Sequence, residues 1–177
     1  PAMDLEATFG HSQPIVGMVH LDPLPGAPKF DGDRNAVIDR ARTDARALEA
    51  GGVDAVMVEK FGDAPFYPDD VPKHVVASMT RAAGAVADEV ALPVGVNVLR
   101  NDAAADLAVA QAVGADFMRV NIHTGARVAD QGIIEGKAYE TMRERDRLGA
   151  DVAVLADHDV KHSAPIAAEE FTAESFA

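Results

Sequence analysis

Two short apolar segments flank an amphipathic segment in the middle of the chain. Val94–Leu99 and Phe117–Ile122 are largely apolar, and each has an asparagine near its end. Between them, Asp102–Val113 has apolar residues near helical spacing. Two short apolar strands joined by a helix are typical of a parallel βαβ unit.

The same alternation recurs along the rest of the chain and predicts an α/β fold. The predicted strands are Ile15–Leu21, Asp54–Glu59, Val94–Leu99, Phe117–Ile122 and Val152–Asp157. The predicted helices are Arg34–Ala50, Lys73–Val90, Asp102–Val113 and Lys137–Leu148, with Asp33 as the N-cap of the first. We expect one domain over residues 1–177, beginning with a flexible arm at residues 1–13.

The connections between these elements are unequal in length. Helix-to-strand joints are short and repeat a Gly-x-Asp pattern at Gly52, Gly114 and Gly149. Three of the strand-to-helix loops run to about a dozen residues or more, longer than is usual for such connections. In parallel α/β folds, ligands bind at the carboxyl ends of the strands, so the long loops predict the functional face.

Composition and charge limit the classes of molecule that this chain is expected to bind. The 177 residues carry 29 acidic against 16 basic side chains, a net charge of −13, which disfavours nucleic acid and anionic membrane surfaces. The acidic balance resembles halophilic proteins, with an ordinary acidic soluble protein as the alternative. No segment predicts a membrane span, and the absence of cysteine favours an intracellular, cytoplasmic protein.

Polar residues stand at or just past the end of every predicted strand. Glu59 and Asp157 are the candidate catalytic acid and base, because partial burial at a strand end raises a carboxyl pKa. The alternative is a structural salt bridge to Arg119 or Lys161. Lys161 itself is a candidate catalytic residue, as an anion ligand or Schiff-base nucleophile, or else a solvated loop lysine. The candidate substrate-binding residues are His20, Asn97, Asn101, Asn121 and His123.

No cofactor is assigned from the sequence. Five residues could ligate a metal, but their spacing matches no defined motif, so no metal site is predicted: His20, Asp22, Glu59, Asp157 and His158. Neither a P-loop nor a G-x-G-x-x-G segment follows a strand. The aromatic residues Phe61, Phe66 and Tyr67 form either a lid over the site or a hydrophobic plug beneath a long loop.

Five segments, in order, resemble the BtpA/SgcQ family: PIVGMVHLDPLPGAP, VMVEKFGDAPF, VGVNVLRNDA, RVNIHTGA and LADHDVKHSAP. The resemblance covers nearly the whole chain. It implies a TIM-type (β/α)8 barrel, grouped with barrels that bind phosphorylated sugars. The family takes its name from a member linked to photosystem I accumulation.

Two departures from the family pattern bear on this expectation. Lys60 stands where the family has asparagine. A complete barrel of this type also needs eight units and roughly 250 residues, whereas this chain has about five, so we expect a C-terminally truncated, partial barrel. Such a piece leaves open sheet edges, which predicts a homo-oligomer.

The predicted function is that of a metabolic enzyme acting on a phosphorylated sugar or nucleoside, of hydrolase or lyase type. The alternatives are a non-enzymatic assembly factor for photosystem I and a fragment without a function of its own.

Overall fold

A computed structural model describes residues 4–166 of the chain. Its elements are α1 (Leu5–Phe9), β1 (Val16–His20), α2 (Arg34–Ala50), β2 (Ala55–Glu59), α3 (Lys73–Ala87), β3 (Val94–Asn97), α4 (Ala103–Val113), β4 (Phe117–Val120), β5 (Ala126–Ala129), β6 (Gly132–Glu135), α5 (Ala138–Leu148), β7 (Ala153–Ala156) and β8 (Ser163–Pro165). The elements alternate between strand and helix through most of the chain, which confirms the predicted α/β class.

The main sheet has five parallel strands in the order β1-β2-β3-β4-β7. Each of its strands therefore lies beside the sheet strand that precedes or follows it along the chain. In the described part of the chain, β1 and β7 each pair on one side only. This order is that of a partial TIM-like α/β fold.

The two faces of the sheet bury different side chains, because successive residues of a strand point to opposite sides. On the outer face, Val56, Val58 and Val96 belong to a large core that also includes buried residues of α2, α3 and α4. On the inner face, Met57 and Phe117 form a smaller cluster with other short or apolar side chains. The outer face is therefore covered by helices, and the inner face is lined by alternate strand residues.

Helix α1 packs against the inner cluster. Phe9 is buried there, and its ring meets the ring of Phe117 edge to face, with centroids 5.2 Å apart. The expected flexible arm at residues 1–13 thus contains a short packed helix, capped by the side chain of Asp4. The segment is mostly polar, so the sequence did not indicate that its one aromatic residue, Phe9, anchors it to the inner face of the sheet.

A second, three-stranded antiparallel sheet was not predicted. The loop after β4 forms the hairpin β5–β6, and β8 pairs with the other edge of β5. Residues 123–136 form one of the long loops predicted to follow the strands, and no strand was predicted within it. Gly132, with a φ of +101°, closes the hairpin turn.

Within residues 4–166, no helix has both the length and the apolar character needed to cross a lipid bilayer.

Candidate active site

Polar side chains from all five parallel strands gather at the carboxyl ends. His20, Glu59 and Asn97 are register partners on β1, β2 and β3. Arg119 lies on β4 two residues after the inner-face Phe117, and Asp157 follows β7. Hydrogen bonds and ion pairs link these strand ends, so the structure brings together five of the eight predicted site residues: His20, Glu59, Asn97, Asn121 and Asp157.

Glu59 is the buried carboxyl group at the centre of this network. Its Oε2 lies 3.1 Å from His20 Nε2, and its Oε1 lies 3.3 Å from Arg119 Nη1. Burial raises the pKa of Glu59 above the ordinary value, and the charges of Arg119 and His20 oppose that effect only in part. Glu59 therefore keeps its proton to a higher pH than an exposed glutamate does.

Asp157 is held by a bidentate pair with Arg119. Arg119 donates from Nε and Nη2 to the two carboxylate oxygens, each at 2.8 Å, and Asn121 Nδ2 donates to Oδ2 at 2.9 Å. The hydrogen bonds to Asp157 raise the pKa of Arg119 further above its usual range. The salt bridge to Arg119, one of the alternatives left open by the sequence, is thus present for both carboxyl groups.

Asn97 has one end of its amide free. Its Nδ2 donates to the backbone carbonyl of Arg119 at 2.9 Å, which fixes the orientation of the amide. Its Oδ1 is buried and lacks a hydrogen-bond donor in the part of the chain that the structure describes. Since buried acceptors are almost always paired, this oxygen is suited to receive a hydroxyl or N–H group from a ligand.

The side chain of Asn101 hydrogen-bonds to the backbone of Ile122. Its Oδ1 accepts from Ile122 N at 2.7 Å, and its Nδ2 donates to Ile122 O at 2.9 Å. Both ends of this buried amide are therefore used to hold the chain just after β4, which leaves it little capacity for a ligand.

His123 and Lys161 are not joined to the network by a described hydrogen bond. Partial burial lowers the pKa of His123, which favours the neutral imidazole, and its Nδ1 has no partner among residues 4–166. Lys161 is exposed, and its backbone carbonyl accepts from Arg100 Nη2 at 2.7 Å. Both residues follow strands at the same end of the sheet.

Two charged residues were not assigned to the site from the sequence. Arg119 appeared only as a salt-bridge partner, although alternation from Phe117 through Arg119 to Asn121 places it on the inner face. Lys60 was noted only as a departure from the family, yet its side chain is wholly buried and pairs with Asp63 at 3.1 Å. No pattern in a single sequence distinguishes such a lysine from a solvated loop residue.

A groove of about 680 Å³ lies elsewhere, along the outer helices α2, α3 and α4. Its two arginines have polar neighbours: Arg81 donates to Asn35 at 2.9 Å, and Arg42 lies 3.6 Å from Glu89. The strand-end network offers a buried carboxyl and a free acceptor, so it is the stronger candidate. Among residues 4–166, no three His, Asp or Glu side chains are grouped as metal ligands.

The sequence is similar to a family model and to several curated proteins. Residues 11–175 match the model of the BtpA family. The photosystem I biogenesis protein BtpA of Synechocystis is 49% identical over 170 residues, which cover 96% of this chain and 59% of the relative. An uncharacterized protein of Thermococcus kodakarensis is 53% identical over 151 residues, covering 85% and 58% of the two chains.

A more distant relative is the putative sgc region protein SgcQ of Escherichia coli, 40% identical over 148 residues, covering 82% of this chain and 54% of that one. The chain thus spans less than two thirds of the length of these relatives. No solved structure matches it significantly. The family match and the identities together show that the chain belongs to the BtpA family.

Proposed function

We propose that this protein is a metabolic enzyme acting on a phosphorylated sugar or nucleoside by acid–base chemistry at the carboxyl ends of the strands. The observation that carries the proposal is Glu59, a buried carboxyl group with a raised pKa, set between a histidine and an arginine. Perturbed carboxyl groups of this kind cluster at catalytic sites.

In this proposal Glu59 and His20 exchange the proton. Protonated Glu59 donates to a departing substrate oxygen, or its ionised form takes a proton from a substrate hydroxyl. His20 Nε2, 3.1 Å away and partly exposed, connects Glu59 to solvent and can restore its protonation state. Asp157 is the second acid–base candidate, but it must release Arg119 before it can accept a proton.

The neighbouring side chains then position the substrate. Asn97 Oδ1 accepts a hydrogen bond from a substrate hydroxyl, and Asn121 keeps Asp157 in place. Asn101 positions the chain after β4. Lys161 and His123 follow strands at the same end and are suited to an anionic group, with Lys161 supplying the charge.

We further propose that the parallel sheet is part of a (β/α)8 barrel. The sheet order follows the chain order, the helices cover one face, and the inner face carries polar groups at the carboxyl ends, as in such barrels. The additional length of the relatives is enough for further strand–helix units between β7 and β1.

The absence of cysteine supports a cytoplasmic location.

The test is a screen of phosphorylated sugars and nucleosides for turnover, followed by Glu59→Gln and Asp157→Asn. We expect each variant to lower kcat by about 100-fold or more, the usual contribution of a general acid or base. The matched controls are the exposed residues Glu6 and Asp151, as Glu6→Gln and Asp151→Asn, which lie at the other end of the sheet. Full turnover in both site variants would contradict the assignment.

The name of the Synechocystis relative favours a second candidate, a photosystem I assembly factor without catalysis. That function predicts binding through a surface patch. Glu59→Gln and Asp157→Asn would then leave photosystem I accumulation unchanged in a cell complemented with each variant, whereas the enzymatic proposal expects them to abolish complementation.

A further inference from the structure

Phe61 is an exposed aromatic residue beside the proposed active site. Its ring stacks on the imidazole of His20, with centroids 4.7 Å apart and planes inclined by 21°. The same histidine contacts Glu59 through Nε2. Phe61 is nevertheless 55% exposed, so one face is covered by His20 and much of the remaining ring meets solvent.

The backbone on both sides of Phe61 is held firmly. Phe61 N donates to Glu59 O at 2.8 Å, and Gly62 N donates to Leu21 O at 2.9 Å. A Cβ at Gly62 would lie 2.5 Å from that same carbonyl oxygen, so only glycine permits this approach. The ring is thus presented from a fixed turn that joins the ends of β1 and β2.

Buried charge secures the same loop. The ammonium group of Lys60 pairs with Asp63 at 3.1 Å and lies 5.2 Å from the centroid of the Phe66 ring. Phe66 is 6.3 Å from Phe61 and tilted by 52°, so it does not stack on it. The charge of Lys60 is therefore buried and paired with Asp63, so it does not face a ligand that lies over Phe61.

The position of the loop argues against a role in closing the sheet. Phe61 follows β2, which pairs with β1 on one side and β3 on the other, whereas the free edges belong to β1 and β7. An aromatic ring that is held on a fixed turn beside the candidate site presents a flat apolar face that a ligand can cover.

We propose that the free face of Phe61 stacks a flat heteroaromatic ring, the base of a nucleotide substrate. This inference rests on the proposed function and selects the nucleoside class over a simple sugar phosphate. A sugar ring needs hydrogen-bonding partners along its rim, and the phenyl face of Phe61 supplies none. A base needs only the π face, and stacking of this kind tolerates any base.

The experiment measures the affinities of adenosine 5′-monophosphate and ribose 5-phosphate for the 177-residue chain by calorimetry. Phe61→Leu keeps an apolar side chain but removes the flat ring, and Phe61→Trp keeps the ring. We expect Phe61→Leu to weaken binding of the nucleotide about tenfold or more, to leave ribose 5-phosphate unchanged, and Phe61→Trp to bind the nucleotide at least as well as the parent chain.

Tyr139→Leu is the matched control, since Tyr139 is an exposed aromatic residue on α5, and it should alter neither affinity. A shift of the His20 ring protons on adding the nucleotide, lost in Phe61→Leu, would locate the base at the stack. Nucleotide affinity that is undetectable, equal to that of ribose 5-phosphate, or unchanged in Phe61→Leu would overturn the inference. A second outcome separates the two proposals. If Phe61→Leu weakens nucleotide binding while Glu59→Gln and Asp157→Asn keep full turnover, the stacking inference stands and the acid–base mechanism is rejected.

Discussion

Asp106 is a buried carboxyl group behind the site, in the first turn of α4. Its Oδ1 accepts from Val98 N at 2.6 Å, which ties the chain after β3 to the helix. Burial raises the pKa of Asp106 well above its ordinary range, and the nearby carboxyl groups of Asp102 and Glu59 act in the same direction. The hydrogen bond from Val98 and the charge of Lys60 oppose this effect and do not cancel it.

The stability of the protein should therefore depend on pH through Asp106. A carboxyl group whose pKa is higher in the folded state stabilises most fully below its unfolded pKa, near 3.8, and that contribution is lost as pH rises through the folded pKa. Asp106→Asn keeps the acceptor for Val98 N and cannot ionise. Relative to Asp106→Asn, the parent chain should lose free energy of unfolding as pH rises from 4 toward 8.

Urea denaturation of both proteins across that pH range measures the difference. Asp106→Ala provides the contrast, because it leaves Val98 N without its acceptor and should be less stable than Asp106→Asn by about 1–3 kcal/mol at every pH. Parallel stability curves for the parent and Asp106→Asn would contradict a raised pKa.

Single residues differ in how far their sequence context indicates their role. Glu59, Asn97 and Asn121 are recognisable because each interrupts an apolar strand. Asn101 lies in the polar turn after β3, and only the path of the backbone shows that Ile122 uses both ends of its amide. Burial of Lys60 depends on contacts with a loop that no local pattern describes.

Whole strands and helices were the easier features to predict. Helix α2 begins and ends where expected. Asp33 is its N-cap, and the side chain of Asp33 accepts hydrogen bonds from Asn35 N and Ala36 N. Helix α3 ends at Ala87, three residues before the predicted end, and the strands are shorter than their apolar runs. The hairpin β5–β6 was missed because its pairing stabilises a segment whose own residues indicate a loop.

The packing of β3 against β4 depends on a glycine. Gly95 pairs in register with Phe117, whose buried ring lies across it, so that a Cβ at position 95 would be 2.1 Å from a ring carbon. Gly95→Ala must displace that ring and should lower the free energy of unfolding by about 1–3 kcal/mol.

Gly84→Ala is the matched control on α3. Its Cβ would make an ordinary contact, 3.6 Å from Val113, and alanine should stabilise the helix by about 0.5–1 kcal/mol. Urea denaturation of the two variants should thus give changes of opposite sign. Equal stability of Gly95→Ala and the parent chain would mean that Phe117 does not cover Gly95.

At the scale of the whole molecule, the sheet has an inner face that the described residues cover only in part. Val16, Met18 and Leu155 are half-buried there, and Ile15, just before β1, is 64% exposed. A local pattern of apolar residues predicts the repeating strand–helix unit, but it does not predict what covers the two edges of the sheet. Edge strands with apolar neighbours tend to pair with other chains.

This feature leads to our last prediction, that the 177-residue chain self-associates through the β1 edge. Light scattering coupled to gel filtration should give a mass above the 18.6 kDa of one chain. Since each copy carries a net charge of −13, added salt should strengthen the association by screening their repulsion. Ile15→Lys places a charge at the edge without removing a buried contact and should shift the protein toward monomer.

Ile133→Lys is the control for that substitution, because Ile133 is also 64% exposed but lies on β6, in the other sheet. It should leave the mass unchanged. A monomeric parent chain would show that neither free edge drives assembly under these conditions. Equal dissociation by both substitutions would show that general surface charge, and not the β1 edge, controls the association.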